Sequence, residues 1–434
     1  MTERTRGRLF TGALLGCLVS TIAGCDGLLE VELPGNVEEA ELNNPVLAAT
    51  LALGAQSDFE CAFGAWMMVT ELWTSGLDQS STLTTHSTIQ ARRAAVNEYG
   101  TATCNVDGSP LPYGFWSPLN ISRVQARAAT GLIQSFGAIP DADFLLARLA
   151  AYEGYSTLLL AESFCELYFD GGLRETRANG FNRAVVNFTS AIASATAATP
   201  SATTTAAQIA SIQNMALVGR ARANLNLGNS AAVLTDAGAV TLDFVRTVDR
   251  SGLISFRYNP VFFRSQEGKA YSVPLIYRDT LVSGVFRPRI GAVPDPRVGS
   301  FRDGVGNNQF TPQYTQNKYL SRAAPIPFST WKEARLMIAE VSGGATAVTI
   351  INTLRARYPG LPVFSSSDPA AIAAQVRQER QRELWLQGTR MGDMLRWGTP
   401  FPTGVTPANQ TIVDTTPWCF PTMEAERLGN PNVG

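Results

Sequence analysis

The sequence predicts a mostly α-helical protein of stacked helices, interrupted by one irregular, loop-rich region with a few short strands. Three observations support this prediction. Apolar residues recur at helical spacing in most segments of residues 43–250. The same spacing returns over residues 326–434, whereas residues 251–325 are rich in Gly, Pro, Arg and aromatic residues and keep no helical period.

The composition narrows the possible functions. The chain has 434 residues, of which 45% are hydrophobic and 16% charged, with a formal net charge of −1. These values indicate a globular protein, and the near-zero charge offers no basic face to nucleic acid. His86 is the only histidine, which excludes catalysis that needs several His ligands, including most zinc chemistry. The cysteines show no CxxC or Cys/His spacing that suggests a metal. We predict no metal site and no cofactor.

The first 24 residues are typical of an export signal. Three arginines precede an apolar run that ends in small residues and is too short to span a bilayer. Cys25 follows an Ala-Gly pair, which resembles a bacterial lipobox. We therefore expect Cys25 to carry acyl chains, such as palmitate, and residues 25–42 to tether the fold to a membrane. The alternative is a plain secretory signal with a cysteine here by chance.

The exported part retains four further cysteines, which suggest disulfide bonds and allow three pairings: Cys61, Cys104, Cys165 and Cys419. We expect Cys61 to pair with Cys104, because the chain between them looks polar and in need of a cross-link. In an alternative interpretation Cys165 is a buried free thiol on an apolar helix.

Residues 43–250 read as a series of helices. Asn44 and Pro45 supply a cap and a first residue for the first of them. Asp141 opens a strongly apolar helix that we expect to continue to the Gly pair at Gly171. It carries charges on several sides, so it is expected to lie between other helices rather than in lipid.

Small residues recur within one of these helices, at Ala216, Gly219, Ala221 and Ala223. This resembles the tetratricopeptide pattern, in which small side chains let neighbouring helices approach closely. After residue 325, Asp368 and Pro369 supply a cap and a first residue for another helix, which we expect to end at Gly388.

Residues 74–112 form a long polar loop, and long loops in compact domains are usually functional. Sugar recognition uses aromatic faces together with amides and carboxylates. We predict ligand contacts from side chains of these types in and beside the loop: Trp73, Asp78, His86, Tyr99 and Tyr113. Two of them have another interpretation, because Trp73 can belong to the core and His86 can satisfy a local hydrogen bond.

A second candidate for ligand contacts is an aromatic cluster in residues 251–325, formed by Tyr258, Phe262, Phe263 and Tyr271. These rings could equally contact a partner protein, since interfaces are enriched in aromatic residues.

The segment VRQERQRELWLQGTRMGDMLRWG resembles the C-terminal signature of the SusD/RagB family of nutrient-binding outer-membrane lipoproteins. The signature is matched by Glu379, Arg380, Glu383, Leu384, Gly388, Arg390, Asp393, Arg396, Trp397 and Gly398. Four further blocks agree in order: DGLLEVELPG, Asp295-Pro296-Arg297, Lys318-Tyr319 with PIPFSTWKEARLMIAEV, and INTLRARYPGLP. One departure is Gln387, where the family typically has Glu.

The resemblance implies a SusD-like fold of tetratricopeptide-like helix pairs. It also implies a function without enzymatic activity: family members face the cell surface, capture glycans or other nutrients, and deliver them to a SusC-like TonB-dependent transporter in the outer membrane. An alternative is a helical-repeat scaffold lipoprotein in envelope assembly that binds no small ligand. A hydrolase using Glu379 and Glu383 is disfavoured, because carboxylates on one helix face do not flank a substrate across a cleft.

Charged residues of the signature lie at helical spacings and are expected to form a network that ties the last helix to the fold: Arg380, Glu383, Arg390, Asp393 and Arg396. We expect Trp385 and Trp397 to pack in the core or between helices rather than to contact ligand.

Overall fold

The computed structural model describes residues 39–93, 114–409, 411–412 and 419–433. The chain divides into two compact units, Met1–Asn44 and Pro45–Gly434. In the first unit, the described residues form one helical turn at Glu39–Leu42. All the other elements of the described residues belong to the second unit.

Long helices make up the N-terminal half of the second unit. After a 3-10 turn at Pro45–Leu47 they are α1 (Ala48–Trp73), α2 (Thr84–Gln90), α3 (Trp116–Ser135), α4 (Ala142–Ser163), α5 (Arg177–Ala197), α6 (Ala206–Leu227) and α7 (Ser230–Ala239). Helix α3 packs on α1 and α4, α4 packs on α5, and α5 packs on α6. Consecutive helices are therefore neighbours, as in helical repeats, and the predicted mostly α-helical class is confirmed.

Five shorter helices follow the irregular region: α8 (Trp331–Ser342), α9 (Gly344–Arg355), α10 (Pro369–Glu383), α11 (Arg390–Trp397) and α12 (Glu424–Gly429). The Asp368 carboxylate caps α10 as predicted, accepting hydrogen bonds from the backbone N–H groups of Ala370 and Ala371 at 3.1 and 3.2 Å. The predicted end at Gly388 is wrong, because α10 stops at Glu383 and a tight turn follows. Gly388 is required there, since a Cβ would lie 2.4 Å from the Trp66 ring.

All the strands are short. They are β1 (Asp78–Gln79), β2 (Glu166–Leu167), β3 (Glu175–Thr176), β4 (Val245–Val248), β5 (Tyr271–Ser272), β6 (Thr280–Val282), β7 (Val285–Arg287), β8 (Arg289–Ile290), β9 (Val293–Pro294), β10 (Ser300–Val305), β11 (Pro312–Gln316), β12 (Ile326–Thr330), β13 (Gly404–Val405) and β14 (Thr411–Ile412). One sheet has four strands in the order β11-β10-β7-β6, and the other strands form pairs.

The irregular region begins and ends at one strand pair. Strands β4 and β12 are antiparallel, with Val248 opposite Ile326. Residues 251–325, which we call the insert, therefore leave and rejoin the helical body at the same place. Within the insert, short 3-10 and π turns over residues 255–277 precede the strands of the four-stranded sheet.

Close helix approach in the core depends on small residues. The Phe188 ring on α5 lies between Gly154 on α4 and Gly219 on α6: a Cβ would lie 2.7 Å from the ring at Gly154 and 2.3 Å at Gly219. Phe188 itself is fully buried. The predicted role of the small residues around Gly219 is confirmed.

Helix α4 ends at Ser163, well before the expected stop at Gly171. From Ser163 onwards the chain is bonded to the C-terminal tail instead. Cys165 forms a disulfide bond with Cys419, the Phe420 N–H donates to the Ser163 carbonyl at 2.8 Å, and the Cys165 N–H donates to the Phe420 carbonyl at 3.0 Å. The alternative interpretation of Cys165 as a buried free thiol on a helix is wrong.

Two further expectations concern the start of the second unit. Pro45 opens a 3-10 turn rather than α1, and no side chain caps the first turn of α1.

Cys61, in the middle of α1, is disulfide-bonded. Its expected partner Cys104 lies outside the described residues, as does Cys25, so the pairing and the acylation remain predictions. Every helix in the described residues is too short or too polar to span a bilayer.

Candidate functional site

The polar loop after α1 and the insert meet in a small strand pair. Strands β1 and β5 are antiparallel, with Asp78 opposite Ser272 and Gln79 opposite Tyr271. The loop and Tyr271 of the predicted aromatic cluster, two separate candidates in the sequence, therefore lie side by side.

Asp78 and His86 are buried polar residues in this region. The Asp78 carboxylate accepts a hydrogen bond from Gln90 Nε2 at 2.9 Å, and burial raises its pKa to about 6. His86 Nδ1 lies 3.0 Å from Ser81 Oγ, and the His86 ring meets the Tyr271 ring edge-on at 4.7 Å. Burial lowers the pKa of His86 to about 3. Within the described residues, no three His, Cys, Asp or Glu side chains form a group that could hold a metal.

The other predicted contacts of the loop fall in different places. Trp73 lies in the core at 2% exposure, with its ring 4.3 Å from that of Phe420. Of its two interpretations, the structure places Trp73 in the core. Tyr99 and Tyr113 lie outside the described residues, so their contact with ligand remains a prediction.

Gln313 on β11 ties the loop to the insert, although the sequence analysis missed it. Ser80 Oγ donates to Gln313 Oε1 at 2.8 Å. Gln313 Nε2 in turn donates to the backbone carbonyls of Tyr271 at 2.8 Å and Ser265 at 3.0 Å. The only available signal is a polar residue at a buried position of a short strand, and this does not reveal its partners.

The tip of the β10–β11 hairpin, residues 306–311, packs directly on the loop. Gly306 is required there, because a Cβ would lie 2.4 Å from the backbone oxygen of Ser80. Beside it, Thr82 Oγ1 donates to Asn307 Oδ1 at 3.3 Å. The exposed part of this contact, formed by Thr82 and residues 307–310, is called the loop–insert face below.

Aromatic and cationic side chains lie at this face and on the hairpin behind it. Phe310 is 56% exposed at the tip. Tyr314, on the adjoining strand β11, is half-buried, and the Arg278 guanidinium stacks 3.6 Å from the centre of its ring. The Tyr314 ring is also in T-shaped contact with the Phe286 ring, with ring centres 5.2 Å apart. The face thus offers one exposed ring and, beside the loop, hydroxyl and amide groups.

The predicted aromatic cluster does not form one platform. Tyr258 and Phe263 are half-buried neighbours with ring centres 5.9 Å apart, and Arg322 donates to the Tyr258 hydroxyl at 2.9 Å. Phe262 packs against the main core, and Tyr271 is only 3% exposed.

Residues 333–427 match the profile of the SusD family. The fold is similar to a SusD-like carbohydrate-binding protein from Bacteroides vulgatus, at 12% identity, 90% coverage of this chain, 97% of the other and a TM-score of 0.65. A SusD superfamily protein from Bacteroides fragilis is 13% identical, and the match covers 90% of this chain and 99% of the other with a TM-score of 0.66. Surface glycan-binding protein A from Bacteroides thetaiotaomicron was solved in complex with laminarihexaose. It is 10% identical, and the match covers 89% of this chain and 98% of the other with a TM-score of 0.61. No curated protein matches the chain. The fold of this chain is therefore SusD-like, and residues 333–427 match the SusD family in sequence.

The segment that matches the SusD family contains a buried network of charges. Arg380 donates to both carboxylate oxygens of Asp393, at 2.9 and 2.8 Å. Arg396 donates to Asp393 at 2.8 Å and to Glu340 at 2.9 and 3.0 Å. Burial alone would raise the pKa of Asp393, but the two guanidinium groups outweigh it and lower that pKa. This part of the predicted network is confirmed, and it ties α11 to α10 and α8.

Two members of the predicted network bind elsewhere. Glu383 accepts hydrogen bonds from the Tyr358 hydroxyl at 2.6 Å and from Lys332 Nζ at 2.5 Å. Arg390 donates to the backbone carbonyl of Thr74, just after α1, at 3.2 Å. Helical spacing places charges on one face but does not show which partners the fold supplies, so the expectation of a single network is wrong.

The two tryptophans of the SusD-family segment serve packing. Trp385 is 2% exposed, and its ring centre lies 5.5 Å from that of Tyr277. Trp397 is half-buried and donates from Nε1 to Glu340 at 2.7 Å. Trp385 therefore packs in the core and Trp397 between helices, as predicted.

Proposed function

We propose that this chain is a lipid-anchored protein of the outer membrane that faces the cell surface, binds a glycan or oligosaccharide and delivers it to a SusC-like TonB-dependent transporter. The observation that carries the proposal is the SusD-like fold over nine-tenths of the chain. Its neighbours in fold include a carbohydrate-binding protein and a surface glycan-binding protein solved with laminarihexaose.

The loop–insert face supports glycan binding by its chemistry. Sugar rings stack on exposed aromatic faces, and their hydroxyl groups pair with amides and hydroxyls. Phe310 supplies the ring, and Asn307 and Thr82 supply polar groups beside it. Of the side chains predicted from sequence, Asp78 and His86 support this face from below, and Tyr99 and Tyr113 are proposed to complete it.

A hydrolytic function has less support. General acid catalysis by a glycosidase needs one carboxyl group that can hold a proton near its substrate. Glu379 is fully buried and accepts hydrogen bonds from Arg297 at 2.5 Å and Arg355 at 2.6 Å. Glu383 is bound by Lys332 and Tyr358. Both carboxylates serve ion pairs, so we propose a binding protein without catalytic activity.

Glycan binding is tested by titrating the purified protein with a panel of soluble polysaccharides that includes laminarin. We expect at least one of them to bind, and we expect Phe310→Ala to weaken that binding about five- to tenfold, because it removes the exposed ring. Leu320→Ala is the matched control: Leu320 is 71% exposed in the same insert but outside the loop–insert face. Wild-type protein that binds none of the panel, or equal effects of the two substitutions, would contradict the proposal.

Anchoring and delivery are tested in cells. Cys25→Ala should release the protein from the membrane fraction, because without the acyl chains no covalent anchor remains. Wild-type protein isolated from outer membranes should bring a TonB-dependent transporter with it. A Cys25→Ala protein that stays in the membrane fraction would contradict the acylation, and wild-type protein isolated without a transporter would contradict delivery.

A further inference from the structure

A second pocket lies apart from the loop–insert face, where β4 and β12 meet the start of α8 and the end of α10. Its volume is about 390 Å³, which is within the range of small-molecule sites. Polar groups dominate one wall: Asn317, Lys318, Lys332, Tyr358, Glu383 and Gln387. We call it the lysine pocket.

Positive charge exceeds negative charge in the lining of the lysine pocket. Arg297, Lys318 and Lys332 face one carboxylate, that of Glu383. Arg297 is neutralised behind the wall by Asp295 at 2.7 Å and Glu379 at 2.5 Å, and it lies 3.3 Å from Glu383. Lys332 is held by Glu383 at 2.5 Å, with its side chain still 32% exposed.

Lys318 supplies the excess charge. Its ammonium group donates to the backbone carbonyl of Trp385, and within the described residues no carboxylate lies within ion-pair distance of it. An ammonium group carries three N–H donors, so two remain for a ligand. Burial lowers the pKa of Lys318 to about 7, and a bound anion would favour its protonated form.

The rest of the lining suits a hydroxylated ligand. Asn317 and Gln387 contribute amide groups, and Val245 and Pro327 form an apolar wall. The Asn317 amide packs directly on Gly299, because a Cβ at Gly299 would lie 2.5 Å from Asn317 Oδ1. An amide can donate a hydrogen bond to a hydroxyl group and accept one from it, and an apolar wall suits the C–H face of a sugar ring.

The use of lysine here is itself informative. The chain has 35 basic residues, but lysine occurs only at Lys269, Lys318 and Lys332. Two of the three line one pocket. Lysine is a compact charge with three freely rotating donors, so it can bind a carboxylate oxygen and a neighbouring hydroxyl group at the same time.

We propose that the lysine pocket binds a small hydroxylated carboxylate of the uronic acid class. Its carboxylate would lie against Lys318 and Lys332, its hydroxyl groups against the amides, and its ring against the apolar wall. The inference goes beyond the proposed function, because it needs neither a polysaccharide chain nor a transporter.

The rarity of lysine provides the test. Purified full-length protein in detergent is acetylated with a lysine reagent, and the rate at each lysine is followed by mass spectrometry with D-glucuronate, D-glucose or inorganic phosphate. D-glucuronate should slow acetylation of Lys332 several-fold and leave Lys269 unchanged. Lys269 is a matched internal control, since its side chain is 38% exposed and paired with Asp303 at 2.9 Å.

Each other outcome has a definite meaning. Equal protection by D-glucose, protection by phosphate but not by D-glucuronate, or no protection at all would overturn the proposal. Lys269 bonds through its backbone to Ser80 and Asn307. Protection of Lys269 alone would therefore place the ligand at the loop–insert face and would also overturn the lysine pocket, without affecting the proposed glycan function.

Substitutions then test the charge directly by calorimetric titration with D-glucuronate. Lys332→Gln should weaken binding about tenfold, because it removes a cation from the site. Lys332→Arg should retain most of the affinity, and Lys269→Gln should retain all of it. Unfolding midpoints are measured for each variant. If Lys332→Gln does not fold, the protection of Lys332 in the unsubstituted chain still decides the question.

Discussion

His86 is fully buried between Ser81 and the edge of the Tyr271 ring. Its pKa is lowered from 6.5 to about 3, chiefly by burial, so we expect a neutral imidazole at pH 7. The folded-state pKa lies below the unfolded one, so this contribution to stability is complete above the unfolded pKa and is lost as the pH falls towards about 3. Because His86 is the only histidine, one imidazole NMR signal reports it. That signal should not titrate between pH 8 and about pH 4.

A His86→Gln variant provides the control for the stability effect. Asp78 acts in the opposite direction, because burial raises its pKa to about 6 and the folded state gains stability as the pH falls through that value. Only the difference between parent and variant therefore isolates His86. A histidine signal with a midpoint near pH 6.5 would show that the side chain is solvated.

At the scale of helices, Gly219 sets how closely α6 approaches α5. A Cβ at this position would lie 2.3 Å from the Phe188 ring, and Phe188 is also confined by Gly154. We expect Gly219→Ala to lower the free energy of unfolding by about 1–3 kcal/mol, as overpacking does. Chemical denaturation measures this change.

Gly131→Ala on α3 is the matched control for Gly219→Ala. Both glycines lie inside helices, but a Cβ at Gly131 meets no atom within 4 Å. Alanine is the better helix former, so this substitution should raise the free energy of unfolding by about 0.5–1 kcal/mol. Similar effects of the two substitutions would mean that helix propensity rather than packing controls both positions.

The helices also show what could be predicted from sequence. The apolar period and the Asp368 cap locate most of them, because both are local features of the chain. The end of α4 could not be predicted in this way. Cys165 bonds to Cys419, 254 residues away, and no local pattern reports such a partner.

For the candidate site, sequence reasoning selected the loop but not its geometry. Composition identified residues 74–112 as polar and long, but it did not show that Trp73 and His86 are buried. The pairing of β1 with β5 and the bridge through Gln313 depend on contacts between distant segments. Phe310 was missed because a single phenylalanine in a loop carries no pattern.

At the scale of the whole molecule, the Cys165–Cys419 bond fastens the C-terminal tail to the end of α4. It closes a long loop, so replacing both residues by serine should lower the free energy of unfolding by about 2–4 kcal/mol. Thermal unfolding without reductant measures the loss. The same scan of the double variant with reductant measures how much stability the remaining disulfide bond, that of Cys61, contributes. A double variant as stable as the parent would mean that hydrogen bonds alone hold the tail.

The pairing of β4 with β12 has a consequence for how such proteins can diversify. Val248 and Ile326 are opposite each other, so the insert leaves and rejoins the helical body at one point. Its inner side is part of the packed core, since Phe262 lies against the main core, Tyr277 against Trp385 and Arg297 on Glu379. Changes of length and composition are therefore accommodated best at the exposed hairpin tip, residues 307–310, where they alter the surface of the molecule without repacking its core.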